Sequence, residues 1–218
     1  MKTTDTLHYN FLSVAYEYGA LQFGEFVLNS GRVSPYFLNT GLFSSGETLC
    51  SLSEFYAQVI TQRVSGEFMI YGHAYKGIPL AASTAMELHR SYGVSVPFAF
   101  NRKEAKDHGD TGWTVGAPLR GRVVIVEDVI TSGLSIERAV EIISSQGAVP
   151  TAVVISLDRM ERSADSNQSA VAIASHRYNI DIYPVATVRD LIEFVSATAE
   201  LRMYVEPLHN YVERYGVN

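Results

Sequence analysis

The stretch VVIVEDVITSGLS, residues 123–135, governs how the rest of the chain is read. Residues 123–126 are four consecutive aliphatics, too apolar for a strand with one wet face and suited to a central parallel strand buried on both. Two acids, Glu127 and Asp128, end the run, and the turn Val129-Ile130-Thr131-Ser132-Gly133-Leu134-Ser135 follows. From residue 135 to 146, Ile136, Ala139, Val140 and Ile143 recur at helical spacing, and Gly147 supplies the stop. Strand, acidic pair, turn and helix in that order put orphan backbone N–H groups at a helix N-terminus, where donors and dipole together favour a phosphate monoester. The Thr and Ser hydroxyls add donors, and Gly133 lets the backbone approach closely. Glu127 and Asp128 cannot hold phosphate, but they can accept hydrogen bonds from two neighbouring ribose hydroxyls. The same residues also fit a plainer role, a strand whose terminal acids cap a turn with Ser135 as the helix N-cap.

Working outward, the pattern repeats. Residues 68–71 form a short apolar run closed by Gly72, and Pro79-Leu80-Ala81-Ala82 suits a first helical turn. Residues 96–100 and 152–157 are further strand candidates. Strands alternating with helices over 68–157 predict an α/β domain, a parallel sheet flanked by helices with right-handed crossovers. Ligands of such sheets bind at the carboxyl ends of the strands, which gathers residues 72–77, 101 onward, 127–135 and 158–159 on one rim. The segments 1–45 and 175–218 are less regular and aromatic-rich, and are expected to pack together as a small cap on a core of about 46–175, all within a single domain spanning 1–218.

Composition narrows the classes of function. A chain of 218 residues buries roughly 70% of its unfolded surface in one core, so no staple is needed. The lone cysteine, Cys50, cannot form an internal disulfide, no secretion signal opens the chain, and no stretch reaches the ~18 apolar residues of a membrane span. These features fit a soluble protein of the cytoplasm with no membrane partner. A net charge of -6 disfavours nucleic acid as a partner. Only four of the 17 basic residues are lysines, and beyond Lys2 they are Lys76, Lys103 and Lys106, all in Gly-flanked or highly polar segments. Ammonium groups concentrated there suit point-charge contacts to a phosphorylated ligand.

Neither G-x-x-x-x-G-K-[ST] nor a G-x-G-x-x-G after a strand is present, which argues against nucleotide hydrolysis and dinucleotide binding. The segment FNRKEAKDHG, residues 100–109, has no apolar face and carries Arg102, Lys103, Lys106 and His108. It reads as a solvated connection or as a lid whose cations close over a polyanion, with Gly109 and Gly112 as hinges. His108 has no second histidine at ligand spacing, so no protein metal site is expected.

Residues 123–135 resemble the signature of type I phosphoribosyltransferases, which bind phosphoribosyl pyrophosphate (PRPP). Together with FNRKEAKDHG, YGHAYKGIP (71–79), SGRVSPYFLNTGLF (30–43) and ISLDR (155–159), the chain resembles the orotate phosphoribosyltransferases over nearly its whole length. The resemblance implies the type I phosphoribosyltransferase fold and transfer of phosphoribose from PRPP to orotate, with Mg²⁺ held mainly through PRPP. It also implies a homodimer that shares the lid: Arg102, Lys106 and His108 would serve the neighbouring subunit's site. Tyr75, Lys76, Lys103 and residues 127–135 would complete PRPP binding within one subunit, with Lys103, Lys106 and Asp128 closest to catalysis. Orotate would lie against Phe37, Leu38, Thr131 and Arg159, whose guanidinium suits a carboxylate. Readings as a purine phosphoribosyltransferase, or as a PRPP-binding regulator without turnover, predict different base use or none. Four positions depart from the family pattern. Asn29 stands where Lys is usual, which predicts weaker PRPP binding; Glu127 replaces Asp, Leu134 a common Thr, and His73 a common Pro.

Overall fold

In a computed structural model, residues 6–106, 112–130, 133–163 and 166–217 are described, without the side chains of 103–106 and 112. In chain order the elements are α1 (Leu7–Glu17), β1 (Leu21–Val27), β2 (Val33–Leu38), α2 (Gly46–Arg63), β3 (Met69–Gly72), α3 (Gly77–Tyr92), β4 (Phe98–Lys106) and β5 (Gly112–Gly116). They continue as β6 (Arg122–Glu127), α4 (Leu134–Ser145), β7 (Val149–Asp158), α5 (Ala170–Tyr178), β8 (Asp181–Thr187), α6 (Val188–Ala197) and α7 (Val205–Tyr215). Local chemistry sets several ends. Ser45 and Thr48 form a reciprocal capping box that starts α2, Thr187 and Asp190 do the same for α6, and Gly93 at φ 69° ends α3.

Six strands form the main sheet in the order β5-β4-β3-β6-β7-β8, and β1 and β2 make a separate antiparallel hairpin. The unbroken apolar run of β6 does lie at the centre, parallel to β3 on one side and β7 on the other. Its residues alternate between two cores. Val124 and Val126 join Ile70 and Val154 against α1, α2, α3 and α6, whereas Val123 and Ile125 join Val153 and Ile155 against Ile136, Ala139 and Ile143 of α4. Both faces are therefore covered, as a parallel sheet requires.

Three details depart from the sequence reading. The sheet is not wholly parallel, since β5 runs antiparallel to β4 at one edge. The polar segment after residue 100 is not a loop up to residue 106: it continues β4 and pairs with β5, because an edge hairpin can carry charged residues on both faces. Finally, the sheet extends past residue 175 to β8, which pairs in parallel with β7. Pro184 speaks against a strand there, but β8 is an edge, where a missing N–H is tolerated.

The two ends of the chain do pack together. Tyr9 of α1 meets Phe194 of α6 edge-on at 5.3 Å, and Phe23 of β1 stacks on Tyr204 at 5.2 Å. Phe11 and Leu12 of α1 belong to the same apolar cluster as Val124 of the central strand, so cap and sheet share a core. Among the described residues, no helix is long and apolar enough to cross a membrane.

Candidate active site

The chain leaves β3 towards β4 on one side of the sheet and leaves β6 towards β7 on the other. Adjacent strands whose connections diverge open a crevice at their carboxyl ends. The loop after β3 and the acidic pair ending β6 flank that crevice. Gly72 and Gly77 bring the two sides of the β3 loop into contact, for a Cβ on Gly72 would sit 1.9 Å from the Gly77 carbonyl oxygen. Asn101 of β4, itself buried, accepts from the Ala74 N–H at 2.7 Å and pins the loop, whose Ala74–Tyr75 peptide is cis. Tyr75 projects outward, 68% exposed.

Lys76 closes the loop, and its Nζ donates to Asp128 Oδ2 at 2.6 Å. Asp128 is buried, and its other oxygen, Oδ1, has no hydrogen-bond partner among the described residues. Glu127 is in the same condition: Oε1 accepts from the Asp128 N–H at 3.0 Å, while Oε2 is buried and unmatched. Burial pushes the Glu127 carboxyl above its ordinary pKa, against the pull of hydrogen bonds from the Asp128 N–H and the Ser135 hydroxyl. Two adjacent buried acceptors without donors are costly to keep, and they match the need of two neighbouring sugar hydroxyls.

The backbone of this pair is clamped from two sides. Tyr56 of α2 donates its hydroxyl to the Glu127 carbonyl at 2.7 Å. Ser156 of β7 donates both its N–H (2.8 Å) and its hydroxyl (2.7 Å) to the Asp128 carbonyl. Beyond the acids, Val129 packs on one apolar cluster and Ile130 on the other, so these two residues present backbone to the crevice. Gly133, at φ 80°, is the N-cap of α4; Leu134 is the first helical residue, exposed, and Ser135 the second, which removes Ser135 from the capping position.

A second polar centre sits at the end of β7. The Arg159 guanidinium lies 4.2 Å above the Tyr36 ring of β2, its Nε donates to Glu161 Oε1 at 2.7 Å, and its Nη2 donates to Ser34 Oγ at 2.9 Å and to the Tyr211 hydroxyl at 3.3 Å. Cap and sheet rim thus meet on one arginine.

Comparison with known proteins bears on this geometry. Residues 45–187 match the model of the phosphoribosyl transferase domain. The chain is 48% identical over 220 residues to an orotate phosphoribosyltransferase of Janthinobacterium, covering 98% of this chain and 99% of that one. It is 47% identical over 212 residues to one of Thioalkalivibrio sulfidiphilus, covering 97% and 99%. This chain belongs to the orotate phosphoribosyltransferase family. The crystal structure of the Francisella tularensis orotate phosphoribosyltransferase superposes with a TM-score of 0.84 at 34% identity, over 94% of this chain and 98% of that one. The type I phosphoribosyltransferase fold is accordingly the fold of this member.

Relative to the residues the family resemblance singles out, the structure brings together Lys76, Glu127, Asp128 and the start of α4. Arg159 is held beside β2, on which Phe37 is partly exposed and stacked on Phe26 at 5.6 Å, whereas the Leu38 side chain is buried in the main core. Arg102 lies on β4 with a buried Nε that has no partner among the described residues. Lys103 and Lys106 are on the same strand, but their side chains, together with His108, Thr131 and Ser132, lie outside the described residues. Asn29 is exposed at the tip of the β1–β2 hairpin. His73 has a buried, unmatched Nδ1 and a pKa lowered by burial and by the charge of Arg138. Sequence reasoning missed Tyr56, Ser156, Ser34, Tyr36, Glu161 and Tyr211. Ser34, Tyr36 and Ser156 lie inside segments 30–43 and 155–159 that carry the resemblance, and Glu161 is an acid two residues from Arg159; Tyr56 and Tyr211 left no signal.

Proposed function

We propose that this orotate phosphoribosyltransferase transfers the phosphoribosyl group of PRPP to orotate, giving orotidine 5'-monophosphate and pyrophosphate. The observation that carries the reading is the pair of buried, unmatched oxygens on Glu127 and Asp128 at the switch point beside Lys76. Their partners in the reaction are the ribose hydroxyls, and their charge favours the positive character that develops on the sugar as pyrophosphate leaves. The first-turn amides of α4 hold the 5'-phosphate, with the Thr131, Ser132 and Ser135 hydroxyls adding donors. Lys76, Lys103, Lys106, Arg102 and His108 stabilise pyrophosphate, with Arg102, Lys106 and His108 acting in the partner subunit's site of a homodimer. Orotate is held along β2 at Phe37 and Leu38, by Thr131, and by Arg159 through its carboxylate.

Mg²⁺ fits this donor set. Carboxylate oxygens are hard ligands, but Glu127 and Asp128 beside a lysine do not make an octahedral cage, so pyrophosphate and ribose oxygens would carry most of the coordination. Bound there, Mg²⁺ would supply neutralisation of charge on the leaving group. Among the described residues, Cys50, Glu54 and Glu87 form the group of potential metal ligands, and the Arg90 guanidinium already contacts all three. We place the reaction in the cytoplasm.

Calorimetric titration of PRPP with Mg²⁺ tests the reading. The parent protein should bind, and Asp128→Asn should bind at least about tenfold more weakly, the worth of one charge-assisted hydrogen bond. Equal affinity in the two proteins would move the sugar site elsewhere.

A further inference from the structure

Arg159 is more constrained than an arginine waiting for a ligand has to be. A free arginine side chain carries about 2 kcal/mol of rotamer entropy, and Glu161 removes much of that freedom. Glu161 is fixed at both oxygens. Oε1 accepts from Arg159 Nε at 2.7 Å and from the Tyr211 hydroxyl at 2.8 Å, while Oε2 accepts from Arg32 Nη1 at 3.0 Å. Arg32 is tied down in turn, donating through Nη2 to the Arg162 carbonyl at 2.8 Å and lying 4.9 Å from the Tyr215 ring. The donors come from the β1–β2 hairpin, from α7 and from the turn after β7, so the carboxylate joins three segments of the fold.

A guanidinium has five N–H donors. Nε spends its one on Glu161, and Nη2 spends its two on Ser34 and Tyr211. Nη1 makes no hydrogen bond among the described residues, yet it is absent from the sealed, unmatched atoms. Nη1 is therefore the open end of a fork whose other edge is occupied. Of the guanidinium that suits a base carboxylate, the fold leaves this end for it.

We propose that Glu161 is a positioning residue for base recognition: by holding Nε it turns Nη1 of Arg159 towards the carboxylate of the incoming base. This rests on the reading of Arg159 as the partner of that carboxylate, and goes beyond it by assigning what aims the guanidinium. Charge permits it. Glu161 is shared between two guanidiniums, so the trio of Arg32, Arg159 and Glu161 keeps a surplus positive charge for an anionic base. Asp158, the other acid of this turn, is engaged by the Met160 N–H at 2.8 Å.

Steady-state kinetics of Glu161→Gln, Tyr211→Phe and Arg159→Ala test the proposal, with orotate and PRPP varied separately and thermal midpoints measured alongside. Glu161→Gln should raise KM for orotate about tenfold and leave KM for PRPP within about twofold. Tyr211→Phe, which removes one hydrogen bond from each of Glu161 and Arg159, should move orotate KM the same way by less, and it serves if Glu161→Gln does not fold. Arg159→Ala probes the underlying reading. If it raises orotate KM while Glu161→Gln and Tyr211→Phe do not, the positioning role is wrong and the Arg159 assignment stands. If Arg159→Ala itself leaves orotate KM unchanged, the assignment fails. Equal rises in KM for both substrates in Glu161→Gln would reduce Glu161 to a structural ion pair and overturn the proposal.

Discussion

Glu127→Gln should improve the fold and damage the reaction, because the same buried carboxylate costs the one and serves the other. Only 7% of Glu127 is exposed, its Oε2 has no hydrogen-bond partner, and burial holds its pKa above the ordinary 4.5. The sign follows from linkage. Below pH 4.5 the carboxyl is protonated in both folded and unfolded chains, and burial of charge costs nothing. As pH rises from there through the raised folded-state value, the unfolded chain ionises first and stability falls; above the folded-state value the penalty is complete and constant. Glutamine keeps the acceptor for the Asp128 N–H and replaces an ionised oxygen with a neutral amide. An unmatched buried polar group costs about 1–3 kcal/mol and a charged one more; the glutamine NH2 keeps the first cost and removes the excess, about 1 kcal/mol. For a chain of this size that is about 2–4 °C in the thermal midpoint. Catalysis loses a charged acceptor for a ribose hydroxyl, about 1.5–3 kcal/mol, or roughly 10- to 150-fold in kcat/KM for PRPP. Differential scanning calorimetry between pH 5 and 8, paired with kinetics at pH 8, provides the assay. The gain in midpoint should grow as pH rises from 4.5 through the folded-state value and then hold level. A midpoint lowered at pH 8 would mean that the buried Glu127 carboxylate does not burden the fold, and kcat/KM within twofold of the parent that it does not serve the sugar.

The remaining expectations concern the clamp, the lid and the hairpin tip. Tyr56→Phe removes the donor to the Glu127 carbonyl without changing the ring, and should lower the midpoint by about 2–6 °C and raise KM for PRPP several-fold, as measured by calorimetry and initial rates. Lys106→Ala should lower turnover by orders of magnitude with an unchanged midpoint. Mixing it with Asp128→Asn should restore on the order of a quarter of parental turnover if the lid acts across a dimer, since half the dimers would then hold one intact site. Asn29→Lys should tighten PRPP binding by calorimetry; an unchanged affinity would remove Asn29 from the account.

How legible each part was depended on whether its cause was local. The run 123–126 announces a central strand because burial on both faces requires continuous apolar residues, and the acids after it sit at the crevice because strand ends do. β5 escaped notice since GWTVG is five residues long, bounded by glycines and at an edge, where composition is weakly constrained. β8 was hidden by Pro184, and the continuation of β4 by its charges. Tyr56 reaches Glu127 across 71 positions, and no spacing rule encodes such a contact. Arg159 was legible as a cation at a strand end, but the use of its Nη2 within the fold depends on Ser34 and Tyr211, each brought from a distant segment.

A pyrimidine phosphoribosyltransferase site between β3 and β6 requires that orotate absorbance, followed in the presence of the protein with PRPP and Mg²⁺ added together and each omitted in turn, falls when both are present and stays constant when PRPP is left out. Binding of PRPP with no loss of orotate, or consumption of hypoxanthine or guanine in its place, would contradict it.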